Sequence, residues 1–99
     1  MNSQQHYINL LTEATPYIRL EYGVKSMRLF GSVARNEGRD DSDVDIFVDM
    51  PPKALKVIEL RQYLQNMLGR AVDIVRLHSN LDPYLTDEIN RDGITIFAE

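Results

Sequence analysis

Residues 29–48 read LFGSVARNEGRDDSDVDIFV. An apolar pair runs into Gly31-Ser32, ten residues dense in charge follow, and the stretch closes on Asp43-Val44-Asp45 at the head of a second apolar run. Val44 to Val48 has the alternation of a half-buried strand, with Val44, Ile46 and Val48 on one face. Residues i and i+2 of a strand point the same way, so Asp43 and Asp45 are expected on the other face, their Cα atoms roughly 6.5–7 Å apart. Two carboxylates that close repel unless a proton or a cation lies between them. A hard divalent ion such as Mg²⁺ takes oxygen ligands, keeps several waters and completes its shell with substrate phosphates.

Gly31-Ser32 supplies a complementary half. Glycine lets the backbone approach a ligand closely. A helix opening at Ser32 would aim free N–H groups and its positive end at an anion, with the hydroxyl as a further donor. An anion cradle beside a cation site suits a nucleoside triphosphate and its metal.

Working outward, Lys25 to Phe30 reads as a short strand leading into this loop, and Ser32 as the cap of a short helix to about Glu37. Upstream, Tyr7, Leu10, Leu11, Ala14 and Ile18 have helical spacing. Thr15-Pro16, a capping residue followed by a first-turn proline, predicts a break into two short helices, and Gly23 ends the second. Downstream, Pro51-Pro52 stops the strand. Val57, Leu60, Leu64, Met67 and Leu68 form the stripe of an amphipathic helix that ends at Gly69. Ala71 to Leu77 is a third strand, Asp82-Pro83 opens a last helix running to Asn90 or Arg91, and Gly93 ends it before a small strand, Ile94 to Phe97. The alternation predicts an α/β (α+β) fold, a small mixed β-sheet flanked by helices.

Asp73 interrupts the apolar run of the third strand. If that strand lies beside Val44–Val48, Asp73 faces the same site, where it could bind metal or take a proton from an attacking hydroxyl. Alone, it could equally be an edge-strand charge. The candidate set is therefore Asp43, Asp45 and Asp73 as catalytic and metal-ligating acids, with Gly31, Ser32, Arg35 and Ser42 toward nucleotide and phosphate. Arg35 reads equally as a solvated loop residue and Ser42 as a turn residue. Arg39, Asp40, Asp41 and Asp49 read as solvent-exposed. His6 is set aside, and His78 lines the site or is simply exposed. The tyrosines at 7, 17, 22, 63 and 84 read as packing or interface residues.

The chain has 99 residues, enough for one domain (1–99) with one modest core. It is 43% hydrophobic and 26% charged, in the range of an ordinary globular protein. No apolar run approaches the roughly 18 residues of a membrane span. The N-terminal residues lack the basic start and long apolar block of a secretory signal. The absence of cysteine excludes disulfides and thiolate metal sites and suits a reducing cytoplasm. A net charge of −4 is the wrong sign for a generic nucleic-acid binder, so no direct nucleic-acid binding is expected.

Gly31-Ser32, ten residues, then Asp43-Val44-Asp45 resembles the GS-x10-DxD signature of the DNA-polymerase-β-type nucleotidyltransferases. LFGSVAR, SDVDIFV and the strand-like VDIV around Asp73 are similar in phrasing to the minimal nucleotidyltransferases of bacteria and archaea. The resemblance implies the nucleotidyltransferase fold, Mg²⁺ with ATP as co-substrate, the GS pair near the phosphates, and Asp43, Asp45 and Asp73 holding metal. It also implies a partner. Many such proteins neutralise a HEPN-domain ribonuclease toxin by transferring AMP to one of its tyrosines. An acidic chain suits a basic partner. Where many relatives carry glycine after Ala-Arg, this chain has Asn36, which is expected to alter the loop slightly. Two rival readings stand beside this one: an antitoxin that works by occlusion alone, and a nucleotidyltransferase acting on a small molecule or an RNA end.

Overall fold

A computed structural model describes residues 4–39 and 42–98. In chain order it holds α1 (Gln4–Tyr22), β1 (Ser26–Phe30), α2 (Gly31–Ala34), β2 (Val44–Asp49), α3 (Ala54–Leu68), β3 (Val72–Arg76), α4 (Pro83–Asp92) and β4 (Ile94–Phe97). The strands form one mixed sheet in the order β3-β2-β1-β4. The β1 strand runs antiparallel to β2 and to β4, and β2 runs parallel to β3. The short β1-to-β2 link permits an antiparallel pair, whereas β2 to β3 needs the crossover that α3 provides.

Strand alternation sorts the sheet into two unlike faces. Met27 and Leu29 of β1 pair with Val48 and Ile46 of β2, and all four, with Val44, are buried. This face takes α1 through Tyr7, Leu11, Ile18 and Tyr22, and α3 through Leu60, Leu64 and Leu68. The other face carries Ser26, Arg28 and Phe30 against Asp49, Phe47 and Asp45. It meets α4 instead, Arg28 donating to the carbonyl of Gly93 at the end of that helix at 3.2 Å.

Two elements differ from their local signals. The chain does not break at Thr15-Pro16, and α1 is one helix with Pro16 inside it. Proline in a helix interior costs about 3 kcal/mol. The buried stripe of Tyr7, Leu11, Ile18 and Tyr22 runs on both sides of Pro16, and burying even two such side chains offsets that cost, at about 1.5–3 kcal/mol each. The Thr12 and Thr15 hydroxyls donate to the carbonyls of Ile8 (2.7 Å) and Leu11 (3.0 Å), so neither threonine starts a new helix.

The helix expected over Ser32–Glu37 is a single turn, Gly31–Ala34, preceded by Phe30 with no side-chain cap, so Ser32 lies inside it rather than capping it. Asn36 ends the turn at φ 60, a left-handed backbone that asparagine tolerates better than most residues. It therefore adopts a conformation that favours glycine. By contrast, Asp82 caps α4 as expected, its carboxylate accepting from the Tyr84 N–H at 2.9 Å with Pro83 following. Gly69 closes α3 at φ 69.

Candidate active site

Asp45 is the centre of the site. It sits opposite Phe30 on β1 and beside Asp73 on β3, in the parallel register Asp45↔Asp73. The expected alignment of these two carboxylates is thus set by the sheet. Asp43 differs from expectation, because β2 begins at Val44 and Asp43 belongs to the end of the preceding loop. It is exposed, as is Asp73, while Asp45 is half-buried. Asp40 and Asp41 lie outside the described residues.

Burial lifts the Asp45 carboxyl to about 6, helped by the charges of Asp73, Asp43 and Glu88 and opposed by Arg35. Glu88, from α4, was not among the candidates. No local motif marks it, and only the docking of α4 against β1 brings its charge to bear on Asp45. Among the described residues, no three His, Cys, Asp or Glu side chains are gathered closely enough to hold an ion as they stand. Of the expected metal set, the strands align Asp45 and Asp73, while Asp43 comes from the loop before β2.

Gly31 is fitted to this acid. Its backbone has φ +75, and a Cβ there would lie 2.0 Å from the Asp45 carboxylate and 2.9 Å from its carboxyl carbon. Glycine is required both by the conformation and by the approach. One helical turn carries little macrodipole, so any anion held here would rely on the first N–H groups and the half-buried Ser32.

Arg35 and Ser42 are otherwise engaged. The Arg35 guanidinium donates to Glu37 (3.2 Å) and to Asp92 of α4 (3.4 Å). The Ser42 hydroxyl accepts from the Arg39 N–H at 2.9 Å, closing a turn. Beside the acids, further along the same face, an open hollow of about 330 Å³ is lined by Phe47, Leu77, Leu81, Thr86, Ile89 and Asn90. His78 reaches its rim, exposed, its Nδ1 accepting from the Asn80 N–H at 3.2 Å. Tyr17, Tyr22 and Tyr63 meet ring to ring between α1 and α3, edge-on or tilted, with Tyr17 exposed.

This face defines a class of protein. The nucleotidyltransferase domain described as polymerase beta matches residues 13–99, and the chain belongs to that family. Within the family it is similar to small members. It is 38% identical over 90 residues to the protein adenylyltransferase MntA of Thermococcus cleftensis, covering 89% of this chain and 90% of that one. It is 39% identical over 89 residues to a candidate protein adenylyltransferase of Methanocaldococcus jannaschii, covering 88% and 91%. A solved structure of a candidate minimal nucleotidyltransferase superposes with a TM-score of 0.76 at 33% identity, over 94% of this chain and 95% of that one. A solved structure of the toxin–antitoxin MntA-HpeT with a Y104A mutation matches at a TM-score of 0.66 and 26% identity, over 100% and 75%. The mixed sheet flanked by helices is the nucleotidyltransferase fold. No helix among the described residues is long and apolar enough to cross a membrane.

Proposed function

We propose that this nucleotidyltransferase moves AMP from ATP onto a hydroxyl of a protein partner, a tyrosine of a HEPN-type ribonuclease toxin, and so serves as its antitoxin in the cytoplasm. The observation that carries the reading is the register of Asp45 beside Asp73, with Gly31 pressed against Asp45. The names of the relatives supply the acceptor class: one is a protein adenylyltransferase, and one was solved as a toxin–antitoxin complex.

The donor set suits a hard divalent cation. It consists of carboxylate oxygens, and Asp45 is lifted by burial and then by the charges of its neighbours, a repulsion that a cation would relieve. Asp43 and Asp45 would hold the ion, with Asp73 as a third ligand or as the base. Such an ion supplies charge neutralisation on the phosphates. Gly31 and Ser32 receive the phosphate oxygens leaving with pyrophosphate. Asp73, exposed at the edge strand, meets the incoming hydroxyl and takes its proton. The hydroxyl oxygen bonds to the α-phosphorus as the bond from that phosphorus to the bridging oxygen breaks. Catalysis is then mainly positioning and electrostatics.

The test is transfer of α-labelled ATP to the co-expressed partner in the presence of Mg²⁺. Label on the partner is expected, lost in Asp43→Asn and Asp45→Asn, together with loss of toxin neutralisation. Neutralisation by Asp45→Asn equal to the parent would replace this reading by occlusion. Label on RNA or a small metabolite would move the acceptor class.

A further inference from the structure

Asp43 raises a positional problem. It belongs to the proposed site, yet it lies one residue outside β2, at the end of an exposed, charged loop. A ladder residue is fixed by its strand partners, and a loop residue needs another anchor. Arg70 occupies that role in space. It stands between the end of α3 and the start of β3, half-buried. Its Nη2 donates to the carbonyls of both Arg39 and Ser42, and its Nη1 donates to the Tyr7 hydroxyl at 2.8 Å. Its guanidinium also lies over the Tyr7 ring, 6.0 Å from the centroid. Tyr7 is itself 1% exposed, a fixed point in the core.

The loop end is thereby closed from several sides. The Ser42 N–H donates to the Arg39 carbonyl at 3.0 Å, and the Ser42 hydroxyl accepts from the Arg39 N–H. On the far side of Asp43, the Val44 N–H donates to the Ala71 carbonyl at 2.9 Å, next to Arg70 in the chain. Asp43 is bracketed between a carbonyl gripped by Arg70 and an N–H gripped by the residue after Arg70.

We propose that Arg70 is a positioning residue: its guanidinium ties the carbonyls of Arg39 and Ser42 to the core and so fixes Asp43 relative to Asp45. A planar fork can reach two carbonyls and a hydroxyl at once, which a lysine ammonium on its flexible stem does not reproduce. The functional half of this inference rests on the reading of Asp43 and Asp45 as cation ligands.

The experiment uses the full chain with Arg70→Met, the milder Arg70→Lys, Tyr7→Phe and the control Asp45→Asn. Amide exchange at Ser42 and Val44 is followed by NMR, binding of Mn²⁺ alone by EPR, and Tm by calorimetry. In Arg70→Met, Ser42 exchange is expected to accelerate and Mn²⁺ affinity to fall, each about tenfold, the size of effect that about 1.4 kcal/mol produces. Arg70→Lys falls between it and the parent. Tyr7→Phe, which leaves both carbonyl contacts in place, lowers Tm without moving Mn²⁺ affinity. Unchanged Ser42 exchange in Arg70→Met would overturn the clamp. Faster exchange with unchanged Mn²⁺ affinity, in a protein whose Asp45→Asn variant has lost Mn²⁺ binding, would reduce Arg70 to a structural brace and overturn its positioning role. If Asp45→Asn binds Mn²⁺ as the parent does, the cation-site reading itself fails, and the clamp is then judged on Ser42 exchange alone.

Discussion

The two faces of the sheet are built from the same strands, often from adjacent residues, and they do opposite things. Ile46 points into the layer covered by α1 and α3 and is fully buried. Asp45, its neighbour, points to the face shared with Asp73, is half-buried, and carries a carboxyl that burial and like charges push up to about 6. One face lowers the free energy of the fold. The other buries Phe30 and Ile89 as well, but beside carboxylates crowded around Asp45 at a cost in free energy. The difference teaches that the acid pair is tolerated because the apolar face behind it is complete.

Substitutions along these strands should break or sharpen that contrast. The largest effect is expected at Ile46→Ala, which leaves a cavity in the covered face and costs about 2–5 kcal/mol in denaturant titration. A loss under about 1 kcal/mol there would mean that the face is less tightly packed than its burial implies. Gly31→Ala comes next. Its Cβ, 2.0 Å from the Asp45 carboxylate, would push that side chain out of place, and the backbone at φ +75 is strained for any residue with a Cβ. About 1–3 kcal/mol of strain and loss of nucleotidyl transfer are expected together, read by calorimetry and by label transfer.

Asp45→Asn should act in the opposite direction on stability. The folded-state carboxyl titrates near 6, above its ordinary value of 3.8. The folded protein therefore holds this proton more tightly than the unfolded chain. Its stabilising share is complete below the ordinary value and is lost as pH rises through about 6. Asparagine removes that loss. Parent and variant should have equal Tm near pH 4 and diverge by pH 7.5, the variant being the more stable by about 1 kcal/mol once solvent screening of a half-exposed group is allowed for. A variant less stable than the parent at pH 7.5 would mean that the carboxylate is favourably paired instead. The smallest effect belongs to Asp73→Asn. Asp73 is exposed, so stability should stay within about 0.5 kcal/mol. Its charge is the largest of those acting on Asp45 after burial, so the Asp45 midpoint, followed by carboxyl ¹³C shifts, should move down.

Much of this protein was legible locally because its signals are short-range. Strand alternation over Val44–Val48, the Asp82-Pro83 start and the Gly69 stop each depend on a few neighbouring residues, and each appears where it was read. Pro16 shows the limit of such rules. Its helix-breaking tendency is real, but the buried stripe from Tyr7 to Tyr22 outweighs it, and that stripe has meaning only once the sheet is there to receive it. Ser32 suits a cap by its type, but the backbone begins the turn a residue earlier at Gly31.

At the site, the chain order Gly31-Ser32, Asp43-Val44-Asp45, Asp73 nominates the acids, but the expectation that Asp43 and Asp45 share a strand face holds only for Asp45, because β2 begins at Val44. Three things were decided only by the tertiary structure. The parallel register seats Asp73 beside Asp45 rather than a residue away, which would have turned it to the other face. The docking of α4 brings the charge of Glu88 to bear on Asp45. The reach of Arg70 to the Tyr7 hydroxyl and to the carbonyls of Arg39 and Ser42 holds residues that no strand holds. Each joins residues far apart in the chain, and such contacts leave no periodic trace, because the free energy that selects them belongs to the packed whole and not to any segment.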